Sequence, residues 1–336
     1  MSNAYLTYAA KRLGQAVVVV LLAYVFTFVV VSILPGDPIT NILRDPQNGF
    51  SENQIHEIIA AQGLDRPILV QLWSSLSHFV TGDLGLSMRS NRPVTTLIAE
   101  VLPSTLILAS SAFAVALLLA AMIAYGTQFL PKRFGQGLLR GFPSLFLSVP
   151  NFVIGLVLIH TFGFKLGLFR VIAPDSFAAT VFAAITLGIP ISARISEVLI
   201  ANLDNESGQE YAAVARGRGL GQLRLFTKHL LKPASLPVVT VIALAIGELL
   251  GGSLITETVF GRTGLGSLVQ RSVSTQDLPV LQAVVSLAAV VFVLVNLIAD
   301  LAYPLLDPRV KLIGSASRRP TTADEGPART SPAVTS

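Results

Sequence analysis

The sequence predicts an all-α integral membrane protein with six transmembrane helices. Three observations carry that prediction. Of 336 residues, 52% are hydrophobic and only 13% charged, against about 25% charged in a soluble domain. The mean hydropathy is +0.68. The apolar residues gather into runs long enough to cross about 30 Å of hydrocarbon.

The first run, 13–34, follows Lys11 and Arg12. It exceeds the roughly 7–15 apolar residues of a signal peptide, and no small-x-small cleavage site follows, so it is predicted to stay as span one. The other spans are predicted at about 104–129, 142–162, 177–199, 237–256 and 281–303. The fourth has the shortest apolar part, because Pro190, Arg194 and Glu197 fall within it. Arg194 and Glu197 stand one helical turn apart, which predicts an ion pair at the membrane boundary.

Six spans put both termini on one side. With the termini in the cytoplasm, 16 Lys and Arg residues fall inside and 8 outside. Basic residues accumulate on the cytoplasmic side, so both termini are expected there. Residues 1–12 are expected to form the cytoplasmic N-terminus, 13–312 the six-span membrane domain and 313–336 a cytoplasmic tail. The tail is rich in Ser, Thr, Pro, Ala and Arg and reads as disordered. The net charge of +5 orients the chain in lipid and does not indicate nucleic acid.

Cysteine is absent, which excludes disulfides, thiol nucleophiles and thiolate-bound metal. The four histidines, His56, His78, His160 and His229, lack metal-ligand spacing. No GxxxxGK[ST] phosphate loop occurs, so the chain is not expected to be an enzyme or to hydrolyse ATP itself.

The outer loop, 35–103, carries helix signals. Ser51-x-x-Gln54 is a capping box leading into Ile55, Ile58 and Ile59. A second helix is predicted to start at Pro67, with Ile68, Leu69, Leu72, Trp73, Leu76 and Val80 as its apolar stripe and Gly82 as its stop. Such amphipathic helices lie on the lipid surface or cap the mouth of the bundle.

The inner segment, 201–236, is basic, helix-forming and punctuated by glycine. Ser207-x-x-Glu210 predicts a capping box. The helix is predicted to run to about Arg218 and to end at a left-handed Gly219. Tyr211, Val214 and Ala215 share one face, and the small Ala212 and Ala213 permit close approach. A second helix is predicted over about 222–231. Pro233 and Pro237 mark the return into span five, and Pro233 is expected to end that second helix early. The physics alone leaves two readings, a rigid contact surface for a partner or an ordinary basic loop.

At these residues the chain resembles ABC importer permeases, in the variant found in dipeptide, oligopeptide and nickel systems. The resemblance rests on Glu210-Tyr211, Ala215-Arg216-Gly217-Arg218-Gly219, and Leu236-Pro237 ending 18 residues after the glycine. Further matches run in order from about residue 7 to 312. They are Leu34-Pro35-Gly36-Asp37-Pro38, Gly63-Leu64-Asp65-Arg66-Pro67, Gly82-Asp83-Leu84-Gly85, Pro103-Ser104-Thr105-Leu106, Gly251-Gly252, Glu257-Thr258-Val259-Phe260, Gly264-Leu265-Gly266 and Asp307-Pro308-Arg309. The chain departs from the pattern at Ala213, Pro233 and Thr263.

The resemblance implies a type I permease fold, specifically the first permease of a pair. The second permease would complete the pathway, two ATP-binding subunits would hold ATP and magnesium, and a substrate-binding protein would dock outside. It assigns contact with the ATPases to Glu210, Tyr211, Ala215, Arg216 and Gly219. The substrate implied is a di- or oligopeptide, with nickel or a metal–chelator complex as the alternative. Glu248, in the middle of span five, is a candidate for lining the pathway or for a hydrogen bond within the bundle. Asp300 and Asp307, near the inner end of span six, are expected to be structural or to contact inner loops, and His160 to lie at the outer membrane interface. A stand-alone secondary transporter would show internal repeats, and an embedded enzyme would show convergent acid–base groups. The sequence shows neither.

Overall fold

The computed structural model describes residues 2–33, 51, 66–131, 135–275 and 277–306. The first outer-loop helix predicted from Ser51, the Asp307-Pro308-Arg309 match and the tail lie outside the described residues, as does the side chain of Asp300. No strand occurs among the described residues, only an isolated bridge between Leu86 and Pro93.

Helix α1 is Ser2–Ile33. Helix α2, Ile68–Thr81, begins after Pro67 and stops at Gly82, whose φ of 81° is the left-handed stop expected there. α2 leans on α1 through one edge. The Tyr24 and Ser75 hydroxyls are 2.6 Å apart, and the Tyr24 and Phe79 rings are 4.6 Å apart. Its remaining apolar residues, Leu69, Trp73 and Val80, are exposed.

Helix α3, Val94–Phe129, starts ten residues before the predicted span and carries Pro103 inside it. The third predicted span is not one rod. It divides into α4, Gln136–Leu147, and α5, Asn151–Leu158, which runs on as a π-helix from Ile159 to Lys165 and carries His160 on an exposed face. The two halves meet at 110°. Between them stand Ser148, Val149 and Pro150, and proline bars continuation of the first helix.

Helix α6, Phe177–Ser207, is longer than the predicted fourth span because its polar end stays helical. The Ser176 hydroxyl caps its start by accepting from the Ala179 N–H at 3.3 Å. Helix α7 is Glu210–Gly217 and α8 is Gln222–Leu225. A π-helix, Phe226–Leu230, joins α8 to α9, Leu231–Phe260. Pro233 therefore does not end a helix. It stands in the first turn of α9, where a missing N–H costs least. Helix α10 is Leu265–Ser274 and α11 is Leu278–Leu306. Five described helices are long and apolar enough to cross a membrane, and the bent α4–α5 pair makes up to six.

The core is the seam between α3 and α6. On α3, Leu108, Ala112, Ala116, Ala120 and Ala124 recur every fourth residue and are buried. On α6, Ala183, Leu187, Ile191, Ile195, Leu199 and Leu203 do the same. Small residues let helix backbones approach closely in lipid, where packing replaces the hydrophobic drive. The approach is closest at Gly188, where an added Cβ would sit 2.9 Å from the Ala112 carbonyl oxygen. A second cluster joins Val94 and Ile98 of α3 to Leu268 of α10 and to Val280, Ala283 and Val284 of α11.

Candidate coupling site

Helix α7 hangs between the ends of α6 and α8, and only Ala212 on it is fully buried. Tyr211 and Val214 are 42% and 55% exposed, so the helix presents most of its circumference outward. Ala215 is half-buried and packs against the core. Glu210 is exposed in the first turn, where a carboxylate complements the positive helix end.

The predicted capping box does not form. Helix α6 continues to Ser207, so Ser207 is a last helical residue rather than an N-cap. Its hydroxyl turns back and donates to the Asp204 carbonyl at 2.9 Å. Gln209 takes the N-cap position with extended backbone and no side-chain cap. The Ala212 and Ala213 N–H groups bond instead to the Gln209 carbonyl at 3.0 and 3.2 Å.

The other end of α7 follows the prediction in detail. Gly219 has φ +78°. Its N–H donates to the Arg216 carbonyl at 2.9 Å, and the Leu220 N–H donates to the Ala215 carbonyl at 3.1 Å. These are the two bonds of a Schellman ending. The backbone of Ala215, Arg216 and Gly219 thus closes the helix, whatever their side chains meet.

Two side-chain links tie α7 to the end of α6. Arg216 Nη2 donates to the Ser207 carbonyl at 3.0 Å. The Tyr211 hydroxyl donates to Glu206 Oε2 at 2.6 Å. Burial first, then the bond to Glu206 and its negative charge, push the Tyr211 phenol up to about 12. A turn earlier on α6, Asp204 accepts from Arg140 of α4 and from Gln128 of α3. Gln222 Nε2 donates to the Gln128 carbonyl at 2.7 Å. The ends of α3, α4, α6 and α8 therefore form one polar collar around the base of α7. Asp204, Arg140 and Gln128 escaped the sequence reading, since nothing local to any of them names the others.

At the opposite end of the bundle, three separate sequence matches converge. Glu257 is fully buried. It accepts from the Thr105 hydroxyl at 2.7 Å and from the Gly266 N–H at 2.7 Å. Thr105 Oγ1 accepts in turn from the Leu265 N–H at 2.8 Å. Arg262, also buried, donates to the Pro174 carbonyl and Thr180 hydroxyl, each at 2.7 Å, and to Ser104 at 3.2 Å. Gly264 and Gly266 make room for the carboxylate, since an added Cβ would lie 2.3 and 2.8 Å from its oxygens.

Arg194 does not pair with Glu197. It forms an ion pair with Glu248 of α9, joining the two helices near their middles. Of the two roles open to Glu248, the structure shows an intrachain partner and also leaves its side chain 45% exposed.

A long-helix membrane bundle with a short exposed helix slung between two spans is the architecture of a transporter's permease subunit. The chain belongs to the family described as binding-protein-dependent transport system inner membrane component, whose model matches residues 112–312. The corresponding N-terminal family model matches residues 5–109. It is thus an inner-membrane ABC importer permease of the dipeptide, oligopeptide and nickel type. It is similar to the glutathione transport system permease protein GsiC of Escherichia coli O6:H1 (strain CFT073), at 33% identity over 91% of this chain and 99% of that protein. The GsiC of Shigella boydii serotype 4 (strain Sb227) matches at the same identity and coverage. Among solved structures, an inward-facing form of the MetNI methionine ABC transporter shares the fold, with TM-score 0.53 and 15% identity over 62% of this chain and 96% of that one.

Proposed function

We propose that this subunit forms half of the translocation path for small peptides, di- or oligopeptides delivered by an extracytoplasmic substrate-binding protein. A second, homologous permease supplies the other half. Two ATP-binding subunits hold ATP and magnesium and seat α7 between them, with Glu210, Tyr211, Ala215, Arg216 and Gly219 as the contact set. The termini then lie in the cytoplasm, in keeping with the distribution of Lys and Arg. The 35–103 loop faces the binding protein.

The observation that carries the coupling reading is the stance of α7. It is rigid at its closed end, exposed around most of its surface, and linked through Ser207 and Glu206 to α6. A push on such a helix moves α6 and the collar with it, as alternating access requires. The peptide class is supported by the relatives, permeases of glutathione transport systems, since glutathione is itself a small peptide.

The test is ATP-dependent uptake into proteoliposomes holding the complete transporter and its binding protein. Labelled dipeptides, longer peptides, glutathione and a nickel chelate are supplied in turn. Peptide uptake supports the reading. Uptake of the nickel chelate with none of the peptides overturns it in favour of metal–chelator import.

A further inference from the structure

Above the coupling site, the bundle carries an exposed strip in which ionisable residues stand among apolar ones. On α9 the exposed positions include Thr240, Leu244, Glu248, Gly251 and Ile255. Their spacing of three and four residues puts them on one face. On α6, which is mostly buried, the exposed positions from Arg194 onward include Glu197, Ala201 and Asn205, again one face. The Arg194–Glu248 ion pair fuses the two faces.

The exposed surfaces of α1 and α3 look different. Exposed residues of α1 include Leu13, Val17, Val18 and Leu22, and those of α3 include Leu106, Leu118 and Met122. Ionisable groups at membrane depth face protein or water, not hydrocarbon. The strip holds three ionisable groups, Arg194, Glu197 and Glu248, on exposed positions. Gly251 has open space where a Cβ would stand, so the strip is shallow beside Glu248.

We infer that this strip is the wet wall of the path, and that the Arg194–Glu248 pair is an exchange site for the charged ends of a zwitterionic peptide. This rests on the peptide reading above. At rest the two side chains neutralise each other. A passing peptide gives its carboxylate to Arg194 and its ammonium to Glu248, so one ion pair becomes two and neither Arg194 nor Glu248 is left unpaired. The partners re-form their own pair when the peptide moves on. Such a site binds strongly enough to admit a solute and weakly enough to release it, as conduction requires.

The test uses the absence of cysteine from the chain. Thr240→Cys and Gly251→Cys are introduced singly, with Leu118→Cys and Met122→Cys as lipid-facing controls. The complete transporter is then treated in proteoliposomes with an anionic methanethiosulfonate. Cysteines on a wet wall are expected to react at least about tenfold faster than the controls. ATP with binding protein loaded with a free dipeptide should slow the reaction at Gly251→Cys. Adding Arg194→Gln or Glu248→Gln should remove that protection. Where those variants fail to assemble, the exchanged pair Arg194→Glu with Glu248→Arg decides, and protection should return in it.

Reaction rates equal to the controls would show that lipid or the second permease covers the strip, and would overturn the inference. Fast reaction with protection indifferent to both glutamine variants would overturn the exchange site. Fast reaction in a transporter that takes up no peptide would overturn the peptide reading and the peptide exchange with it, while the wet wall would stand.

Discussion

Arg140 and Asp204 meet in a two-pronged ion pair, Nη1 to Oδ2 at 2.6 Å and Nη2 to Oδ1 at 3.0 Å. The pair bolts α4, the first half of the bent span, to the last turns of α6. Both side chains are about two-fifths exposed, so the pair contributes on the scale of a surface ion pair, about 0.5–1 kcal/mol. Asp204→Asn and Arg140→Gln are each expected to leave insertion intact and to lower substrate taken up per ATP by roughly two- to fivefold. The double variant should be little worse than either single one, because both remove the same contact. Additive losses in uptake per ATP would show that the two residues act separately.

Gly219 gives a graded prediction. Space around it is open, so any cost of substitution comes from its positive φ alone. Gly219→Asn should be mild and Gly219→Ala should cost about 1–2 kcal/mol of local helix closure. Gly219→Pro additionally deletes the N–H that bonds the Arg216 carbonyl, and cannot adopt the φ. Uptake is expected to fall in that order while the protein still inserts. Normal ATP-dependent uptake by the proline variant would falsify the coupling role of α7.

The buried Glu257 should be a stability residue. Glu257→Ala leaves the Thr105 hydroxyl and the Gly266 N–H without their acceptor, at a cost of about 1–3 kcal/mol for each unsatisfied group. Gly266→Ala should also destabilise, because its Cβ would lie 2.3 Å from Leu254 Cα, and backbone cannot step aside. Thermal unfolding of the solubilised complex checks both. An unchanged midpoint in Glu257→Ala would refute the clamp.

Tyr211 carries a pH signature. Its phenol is pushed up to about 12. A phenol with a raised pKa stabilises the fold below its ordinary value of 10.0 and loses that contribution as pH climbs through the folded value. Across the physiological range it therefore stays protonated and donates to Glu206. Ultraviolet titration of tyrosinate should show a late phase near 12 in the folded protein that vanishes in Tyr211→Phe. A late phase that survives the substitution would assign it to another tyrosine.

The placement of the spans was legible because apolar length alone decides whether a segment crosses a bilayer. Their ends were not. Residues 94–103, 200–207 and 231–236 are polar enough to look like loops, yet they continue helices already nucleated in the apolar run. That continuation undid the Ser207 capping box, since a serine still inside one helix cannot start the next. Gly219 was legible because a left-handed helix ending is a local matter. Arg194 was misread for the opposite reason. Local spacing offers Glu197, but the register of α6 against α9 brings Glu248 to it, and no residue within a turn records that register. The Glu257 clamp shows the same limit: its three sequence matches were visible separately, and only packing reveals that they are one structure.

The π-helix at Phe226–Leu230 sits where α8 becomes α9. A π turn closes five residues back rather than four, so it holds one residue more than an α turn needs. Tightening that turn to α geometry would advance the screw of α9 by one residue, about 1.5 Å along its axis and roughly 100° around it. The junction beneath α7 thus holds one residue in reserve. A small change in pitch there turns the face that bears Glu248, without any break in the chain of backbone hydrogen bonds on either side.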